Sequence, residues 1–132
     1  MDKKSLEYCR DLALEIADLD RRIDQLRAKA VSRKWPDGLP RSNFAADRLS
    51  GIVSKIADLE AVRGPKAVEL MELRRGVEIA MSRLEPTERR LIRLRYFDGL
   101  PWEEVAEAMG YCERHVRRIA ESGLAKMSGN VR

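Results

Sequence analysis

The sequence predicts an all-α protein, in which a long helical hairpin of coiled-coil type precedes a small helix-turn-helix domain. Charged residues make up 36% of the 132 residues and aromatic residues only 5%. Such a composition suits long amphipathic helices better than sheets, which favour β-branched and aromatic side chains. In addition, apolar residues recur at alternating steps of three and four through most of the chain, which is the period of an amphipathic helix.

The first apolar series predicts one helix from about Lys3 to about Arg33. No proline or glycine interrupts this stretch, and charged residues occupy its other faces. The alternating steps form a heptad seam, the face through which helices pair in coiled coils. The seam consists of Cys9, Leu12, Ile16, Leu19, Ile23, Leu26 and Ala30.

A loop is expected at Trp35–Asn43, where two prolines and a glycine stand close together. Trp35 is expected to close the hairpin there, and Ser42 or Asn43 to cap the next helix. A second seam with the same steps follows the loop. It consists of Leu49, Ile52, Ile56, Leu59, Arg63, Lys66, Leu70, Leu73, Val77, Ala80 and Leu84.

The middle of the second seam allows two interpretations, because Gly64-Pro65 lies there beside two polar seam residues. Proline removes a backbone donor and clashes with the carbonyl four residues earlier. Either one long helix kinks near Gly64, or two helices meet at a short break. The unbroken register of the seam favours the kink.

Two long seams joined by a loop bury their apolar residues against each other or against another subunit. The simplest arrangement is an antiparallel hairpin within one chain. Because little other core is available, we also expect residues 1–84 to self-associate, as a homodimer or a higher homo-oligomer.

A second domain, residues 85–132, is expected to begin after Leu84. The residue before a proline is disfavoured in a helix, so the long helix should end there. Pro86 suits the first turn of a new helix, because its missing N–H has no partner to lose there. This helix is expected to reach about Phe97 and to pack through Leu91, Ile92, Leu94 and Tyr96, before Asp98-Gly99 forms a turn.

Two short helices follow, predicted at Trp102–Met109 and at about Cys112 to Met127. Only Gly110-Tyr111 separates them, and so tight a connection is typical of a helix-turn-helix. Gly110 fits the left-handed backbone that often ends a helix. The expected core of the corner consists of Val105, Ala106, Met109, Gly110, Tyr111, Val116 and Ile119.

The outer face of the second short helix carries Glu113, Arg114, His115, Arg117 and Arg118. A charged helix face is often only solvated, and the corner could be an ordinary turn in a helical bundle. Behind a helix-turn-helix, however, this face would lie in a DNA major groove. Arginine there binds phosphates or the O6/N7 edge of guanine.

The C-terminal third resembles the DNA-binding region 4 of sigma-70-type factors. The resemblance rests on Leu84-Glu85-Pro86-Thr87-Glu88-Arg89, Leu94-Arg95-Tyr96, Gly99-Leu100-Pro101-Trp102-Glu103-Glu104-Val105-Ala106, Gly110 and Val116-Arg117-Arg118-Ile119. With its long helical N-terminal half, the whole chain is similar to phage-encoded transcriptional regulators of the RinA/ArpU type. This resemblance implies sequence-specific binding of double-stranded DNA and control of phage genes. It places Arg114, His115, Arg117 and Arg118 at positions that read or approach bases.

Two positions depart from that family pattern. Pro101 and Cys112 precede the short helices, where those families often have a serine or threonine cap. Further phosphate contacts are expected from Arg89, Arg93, Trp102 and Lys126.

Other functional classes find less support in the sequence. A single histidine, His115, near Cys112 does not make a zinc site, and no catalytic constellation is visible, so we expect no metal, no cofactor and no enzyme activity. The charged start and the lack of a long apolar run predict a cytoplasmic protein without a membrane segment. The net charge of +4 and the pI near 9.3 permit an anionic partner without requiring one.

The sequence therefore predicts a non-enzymatic transcriptional regulator that binds DNA and contacts or occludes RNA polymerase. Two alternatives remain. A DNA packaging protein of the small-terminase kind also joins a helix-turn-helix to oligomerising helices. An interaction module like a sigma fragment would dock on RNA polymerase without reading DNA.

Overall fold

Five α-helices make up most of the described chain in this computed structural model, which describes residues 2–32 and 43–129. No strand occurs within those ranges, which confirms the all-α fold class. The helices are α1 (Lys3–Ser32), α2 (Asn43–Ala80), α3 (Pro86–Ile92), α4 (Trp102–Met109) and α5 (Glu113–Met127).

The helix α2 runs without a break through Gly64-Pro65. Glycine before the proline favours this continuity, because one of the clashes of a proline ring, that with the preceding Cβ, cannot occur. One helix is therefore found here and the two-helix alternative is wrong, while the kink near Gly64 stays a prediction. The expected loop, with Trp35 and the cap at Ser42, lies outside the described residues, and α2 begins at Asn43.

The helix α2 ends at Ala80, four residues before the predicted end at Leu84. After Ala80, a turn of 3-10 helix covers Met81–Arg83, and Leu84 is extended with a ψ of 154°. The helix predicted from Pro86 to Phe97 is also composite, since α3 ends at Ile92 and a π-helical turn covers Arg93–Phe97. Pro86 occupies the first turn of α3, as predicted.

The chain divides into two compact units, Met1–Leu14 with Val68–Arg132, and Glu15–Ala67. We call them the corner unit and the hairpin unit. Compactness alone does not test where independently folding domains begin, so the domain ranges 1–84 and 85–132 stay a prediction.

The hairpin unit contains antiparallel stretches of α1 and α2. Ion pairs join Glu15 to Lys66 at 2.9 Å, Arg27 to Glu60 at 2.9 Å, and Asp20 to Arg63. The partners on α2 run backwards as those on α1 run forwards, which fixes the antiparallel direction. The polar seam residues Arg63 and Lys66 are thus explained, because each meets a carboxylate of α1. The apolar seam of α1 is buried here at Ile16, Leu19 and Ile23.

The corner unit has a closed core. Leu91, Ile92 and Tyr96 are almost fully buried, and they share one cluster with Val105, Val116, and Leu6 from the start of α1. Three arginines hold the turn before α4 by donating to its carbonyl oxygens: Arg74 to Phe97 at 2.9 Å, Arg10 to Gly99 at 3.1 Å, and Arg95 to Leu100 at 3.0 Å. This turn therefore positions the start of α4.

Candidate nucleic-acid interface

The connection between α4 and α5 has the geometry of a helix-turn-helix. Gly110 ends α4 with a φ of +74°, which is left-handed backbone that glycine adopts without steric cost. The N–H of Tyr111 donates to the carbonyl of Ala106 at 3.1 Å, and the N–H of Gly110 donates to that of Glu107 at 3.3 Å. These bonds satisfy carbonyls that the end of a helix leaves open.

Side chains of both helices fill the inside of this corner. Val105 and Val116 are fully buried, and Ala106 is 7% exposed where α5 packs on α4. Met109 and Ile119 are half-buried. Ala120, on the same side of α5, is buried as well, at 3% exposure.

The expectation that Tyr111 belongs to this core is wrong. Its side chain is 43% exposed, and its ring meets the ring of His115 edge-on at 4.8 Å between centroids. Tyr111 follows the left-handed glycine directly, which turns its side chain away from the crossing of the helices. It lies instead beside the outer face of α5.

The four expected base-reading residues, Arg114, His115, Arg117 and Arg118, are all exposed on α5. They lie away from Val116 and Ala120, which face the core. The outer face of α5 is therefore open to a ligand, and it is largely cationic.

Arg117 differs from its neighbours because it is already engaged. Its guanidinium donates to Glu113 at 2.9 Å, one helical turn earlier. Its Cζ also lies 5.4 Å from the ring centroid of Trp102, and the Cζ of Arg95 lies 4.5 Å from the same centroid. Trp102 thus carries two cation–π contacts, and it ties the start of α4 to α5. Burial lowers the pKa of Arg95 from its ordinary value, and the nearby charge of Arg10 adds to this effect.

Of the expected phosphate contacts, Arg89 is half-buried and Arg93 forms an ion pair. Arg93 donates two hydrogen bonds to Glu78, at 3.0 Å from Nε and 2.8 Å from an η nitrogen. These bonds raise the pKa of Arg93 and lower the pKa of Glu78. A phosphate would have to displace Glu78 before it could bind Arg93.

The structure places Lys126 in an internal ion pair instead of on the outer face of α5. Its Nζ lies 2.7 Å from Glu88, whose side chain is 7% exposed. The same carboxylate accepts the backbone N–H of Glu85 at 3.0 Å, which caps α3. Burial alone would raise the pKa of Glu88, but hydrogen bonds from Lys126, the Glu85 N–H and Ser122 outweigh it and hold the pKa below its ordinary value. Lys126 therefore links α5 to α3, and its expected role at phosphate does not fit this geometry.

Sequence reasoning placed Glu113 on the outer face of α5, where an acid four residues before an arginine is a standard pairing. It missed Glu78 and Glu88, the acidic partners of Arg93 and Lys126. The capping role of Glu88 could have been predicted, since Glu88 lies three residues after Glu85, the N-cap of α3, where a capping acid is common. Its pairing with Lys126, 38 residues away, has no local signal.

Pro101 and Cys112 precede α4 and α5 without a side-chain hydrogen bond to either helix, as the sequence implied. Cys112 is an exposed free thiol. Among the described residues, no cluster of three or more histidine, cysteine or acidic side chains could hold a metal ion. Nor does any described helix combine the length and apolar character needed to cross a membrane.

Comparison with known families agrees with this geometry. The family model for sigma-70, region 4, matches residues 80–128, which is less than half of the chain. No curated protein and no solved structure matches the sequence. A sigma-70 region 4 domain, which is a helix-turn-helix DNA-binding fold and not an enzyme family, is therefore present from the end of α2 to the end of α5.

Proposed function

We propose that the chain is a sequence-specific transcriptional regulator of the phage-encoded RinA/ArpU type, which reads the DNA major groove with the helix predicted at 112–127. One observation carries the proposal. The residues that match sigma-70 region 4 form a corner whose second helix, α5, buries Val116 and Ala120 and exposes Arg114, His115 and Arg118. These basic side chains therefore take no part in the packing of the core.

Base readout is assigned mainly to Arg114 and Arg117, with Arg118 and His115 beside them. The N-terminal part of a recognition helix points into the groove, and Arg114 is its second residue. Arg117 is held by Glu113 and Trp102, so it reaches DNA already oriented. Orientation in advance reduces the entropy lost when a side chain binds.

Phosphate contacts are assigned to Arg89 and Arg93, with the indole N–H of Trp102 as a further donor. Arg93 would exchange Glu78 for a phosphate, so its contribution includes the cost of breaking that pair. Lys126 is left out of the DNA-binding set because of its bond to Glu88.

The partners follow from this function. Double-stranded DNA is the ligand, the chain acts in the cytoplasm as a homodimer or higher homo-oligomer, and regulation proceeds by contacting or occluding RNA polymerase. No cofactor, metal or membrane takes part.

The test is selection of bound sites from random DNA with the purified protein, followed by binding of variants at several salt concentrations. Arg114→Ala should lose about 1–3 kcal/mol on the selected site and relax the preference at one base pair. Arg89→Ala should weaken binding to all sequences and reduce the salt slope by about one unit. Arg48→Ala, an exposed arginine of the hairpin unit, is the matched control and should bind like wild type.

Two outcomes would replace this proposal. If no DNA is bound in a salt-sensitive way, the chain is an interaction module that docks on RNA polymerase. If the protein forms a ring and binds a partner nuclease, it is a packaging protein of the small-terminase kind.

A further inference from the structure

The part of α2 in the corner unit carries apolar side chains on two opposite faces. The inner face holds Leu70 and Val77, which are 7% and 0% exposed. The outer face holds Val68, Met71 and Ile79, which are 57%, 72% and 68% exposed. A helix on a protein surface normally presents polar side chains on its outer face, so these three residues need another explanation.

The outer residues form one continuous patch. Positions 68, 72, 75 and 79 follow at steps of four, three and four, which places them in one row along the helix. Met71 lies beside the row, three residues after Val68. The only charged members are Glu72 and Arg75, both exposed. Val68 and Met71 adjoin at one end of the row, Ile79 lies at the other, and the two charges lie between them. An exposed surface that combines apolar residues with unpaired charges is typical of an interaction site. We name Val68, Met71, Glu72, Arg75 and Ile79 the outer patch.

The charges of the outer patch are not used within the corner unit. Among the described residues, the ion pairs of this unit are Lys3–Glu7, Glu78–Arg93, Glu113–Arg117 and Glu88–Lys126. On the two sides of the patch, Glu69 accepts the hydroxyl of Tyr8, and Glu78 binds Arg93. Glu69 and Glu78, beside the patch, therefore have partners within the unit, whereas Glu72 and Arg75 are available to bind a second molecule.

The order of residues in the patch is complementary to itself. If a second α2 lies antiparallel, with a two-fold axis passing between positions 73 and 74, Val68 faces Ile79 of the second copy. In the same register Glu72 faces Arg75 of the second copy, and Met71 packs beside that pair. An interface with two-fold symmetry requires this reciprocity, in which each contact occurs twice.

We propose that the outer patch is the surface through which two copies of this chain associate, with their α2 helices antiparallel. The inference rests on the self-association included in the proposed function and assigns it a location. That location differs from the heptad seam of α1, which is buried within each chain at Leu12, Ile16 and Ile23. Three turns of helix make a small interface, so the association should be reversible and depend on protein concentration.

The experiment is analytical ultracentrifugation of the full chain over a wide range of concentrations. Met71→Glu places a charge in the apolar part of the patch, and Glu72→Arg places two arginines opposite each other. Each should raise the dissociation constant of the dimer by about tenfold or more, because each change acts twice in a two-fold interface. Val62→Glu is the matched control, since Val62 is exposed at 49% on α2 but lies off the patch.

The decisive measurement mixes two single variants. Glu72→Arg and Arg75→Glu should each dimerise poorly alone, because each opposes like charges. An equal mixture should form a heterodimer about as tightly as wild type, within roughly threefold, because opposite charges face each other again. Circular dichroism of each variant should match wild type, since all of the changed residues are exposed.

The outcomes separate this inference from the proposed function. Failure of the mixture to associate, or normal dimerisation of Met71→Glu, would place self-association on another surface and overturn the inference alone. A wild-type chain that stays monomeric at every concentration would remove both the patch and the proposed self-association. DNA binding is judged separately by the selected sites.

Discussion

The corner unit and the hairpin unit use different interactions to hold their helices together. In the corner unit Leu91, Ile92 and Tyr96 are at most 1% exposed, and helices approach them from several directions. In the hairpin unit the seam residues Ile52, Ile56 and Leu59 of α2 remain half-buried, while three ion pairs cross between the helices. The hairpin unit therefore buries the seam of α1, at Ile16, Leu19 and Ile23, but leaves the seam of α2 half-buried, whereas the helices of the corner unit enclose their core from several sides.

This difference shows which contacts stabilise the fold and which set the alignment of the helices. Burial of apolar surface contributes about 25 cal/mol per Å², which over a whole core exceeds what exposed ion pairs contribute. Exposed ion pairs contribute little, but they allow only one alignment of the paired helices. The corner unit should therefore be the more stable part, and the hairpin unit should owe its alignment to Asp20, Arg63 and their neighbours.

We expect the largest loss of stability from a substitution that opens a cavity in the corner unit. Leu91→Ala should lower the free energy of unfolding by about 2–5 kcal/mol, because Leu91 is fully buried. The same change at half-buried Leu59 should cost about 1 kcal/mol. Native-state hydrogen exchange would measure the two units separately. Equal losses at both sites would contradict the contrast between the units.

The next effect concerns the ion pair between α3 and α5. Lys126→Met should cost about 1–3 kcal/mol, because it leaves the buried carboxylate of Glu88 without its strongest partner. Lys126→Arg, which can restore the pair, is the control. Melting curves in urea at neutral pH would measure the difference.

The same pair gives the corner unit a dependence on pH. The pKa of Glu88 lies below its ordinary value of 4.5 in the folded chain. Its contribution is therefore present above pH 4.5 and is lost as the pH falls through the lowered pKa. In Glu88→Gln the loss of stability on acidification should be smaller than in wild type. An unchanged pH profile would mean that other carboxylates, such as Glu78, account for it.

Local patterns in the sequence predicted the helices well. The bounds of α4 agree with the prediction, and Gly110 has the expected backbone, because both depend on residues within one turn. The π-helical turn at Arg93–Phe97 was missed, because a helical period of apolar residues does not distinguish a π-helical turn from an α-helix. The ion pair Glu88–Lys126 was missed because its partners lie 38 residues apart in the sequence. The heptad register predicted the polar seam positions Arg63 and Lys66 but not their partners on α1.

A smaller effect is expected from replacing glycine by alanine, and its sign should depend on the backbone conformation of the glycine. Gly110→Ala should cost about 1–2 kcal/mol, because its φ of +74° is unfavourable for any residue with a Cβ. Apart from the adjacent residues of the chain, nothing lies within 4 Å of the position that a Cβ would take, so the cost comes from backbone strain and not from a clash in the core.

Gly51→Ala is the matched change in the hairpin unit. Gly51 is exposed within α2, and a Cβ there also meets no atom within 4 Å. Alanine should stabilise that unit by up to about 1 kcal/mol, because it favours the helix more than glycine does. Thermal melts of the two variants should shift in opposite directions. A shift in the same direction would contradict the assignment of Gly110 to a left-handed turn.

The smallest effect tests whether ion pairs set alignment rather than stability. The side chains of Arg63 and Asp20 are 38% and 46% exposed, so water and salt screen their attraction. Arg63→Gln should therefore lower the free energy of unfolding by no more than about 1 kcal/mol, and this loss should vanish at high salt. Lys55→Gln, on an exposed lysine of the same helix, should show no loss at either salt concentration. Urea unfolding at low and high salt would measure both variants.

A larger loss at Arg63 that persists in high salt would mean that the pair acts as a buried contact. The hairpin unit would then be stabilised in the same way as the corner unit, and the two would differ only in how many helices surround the core.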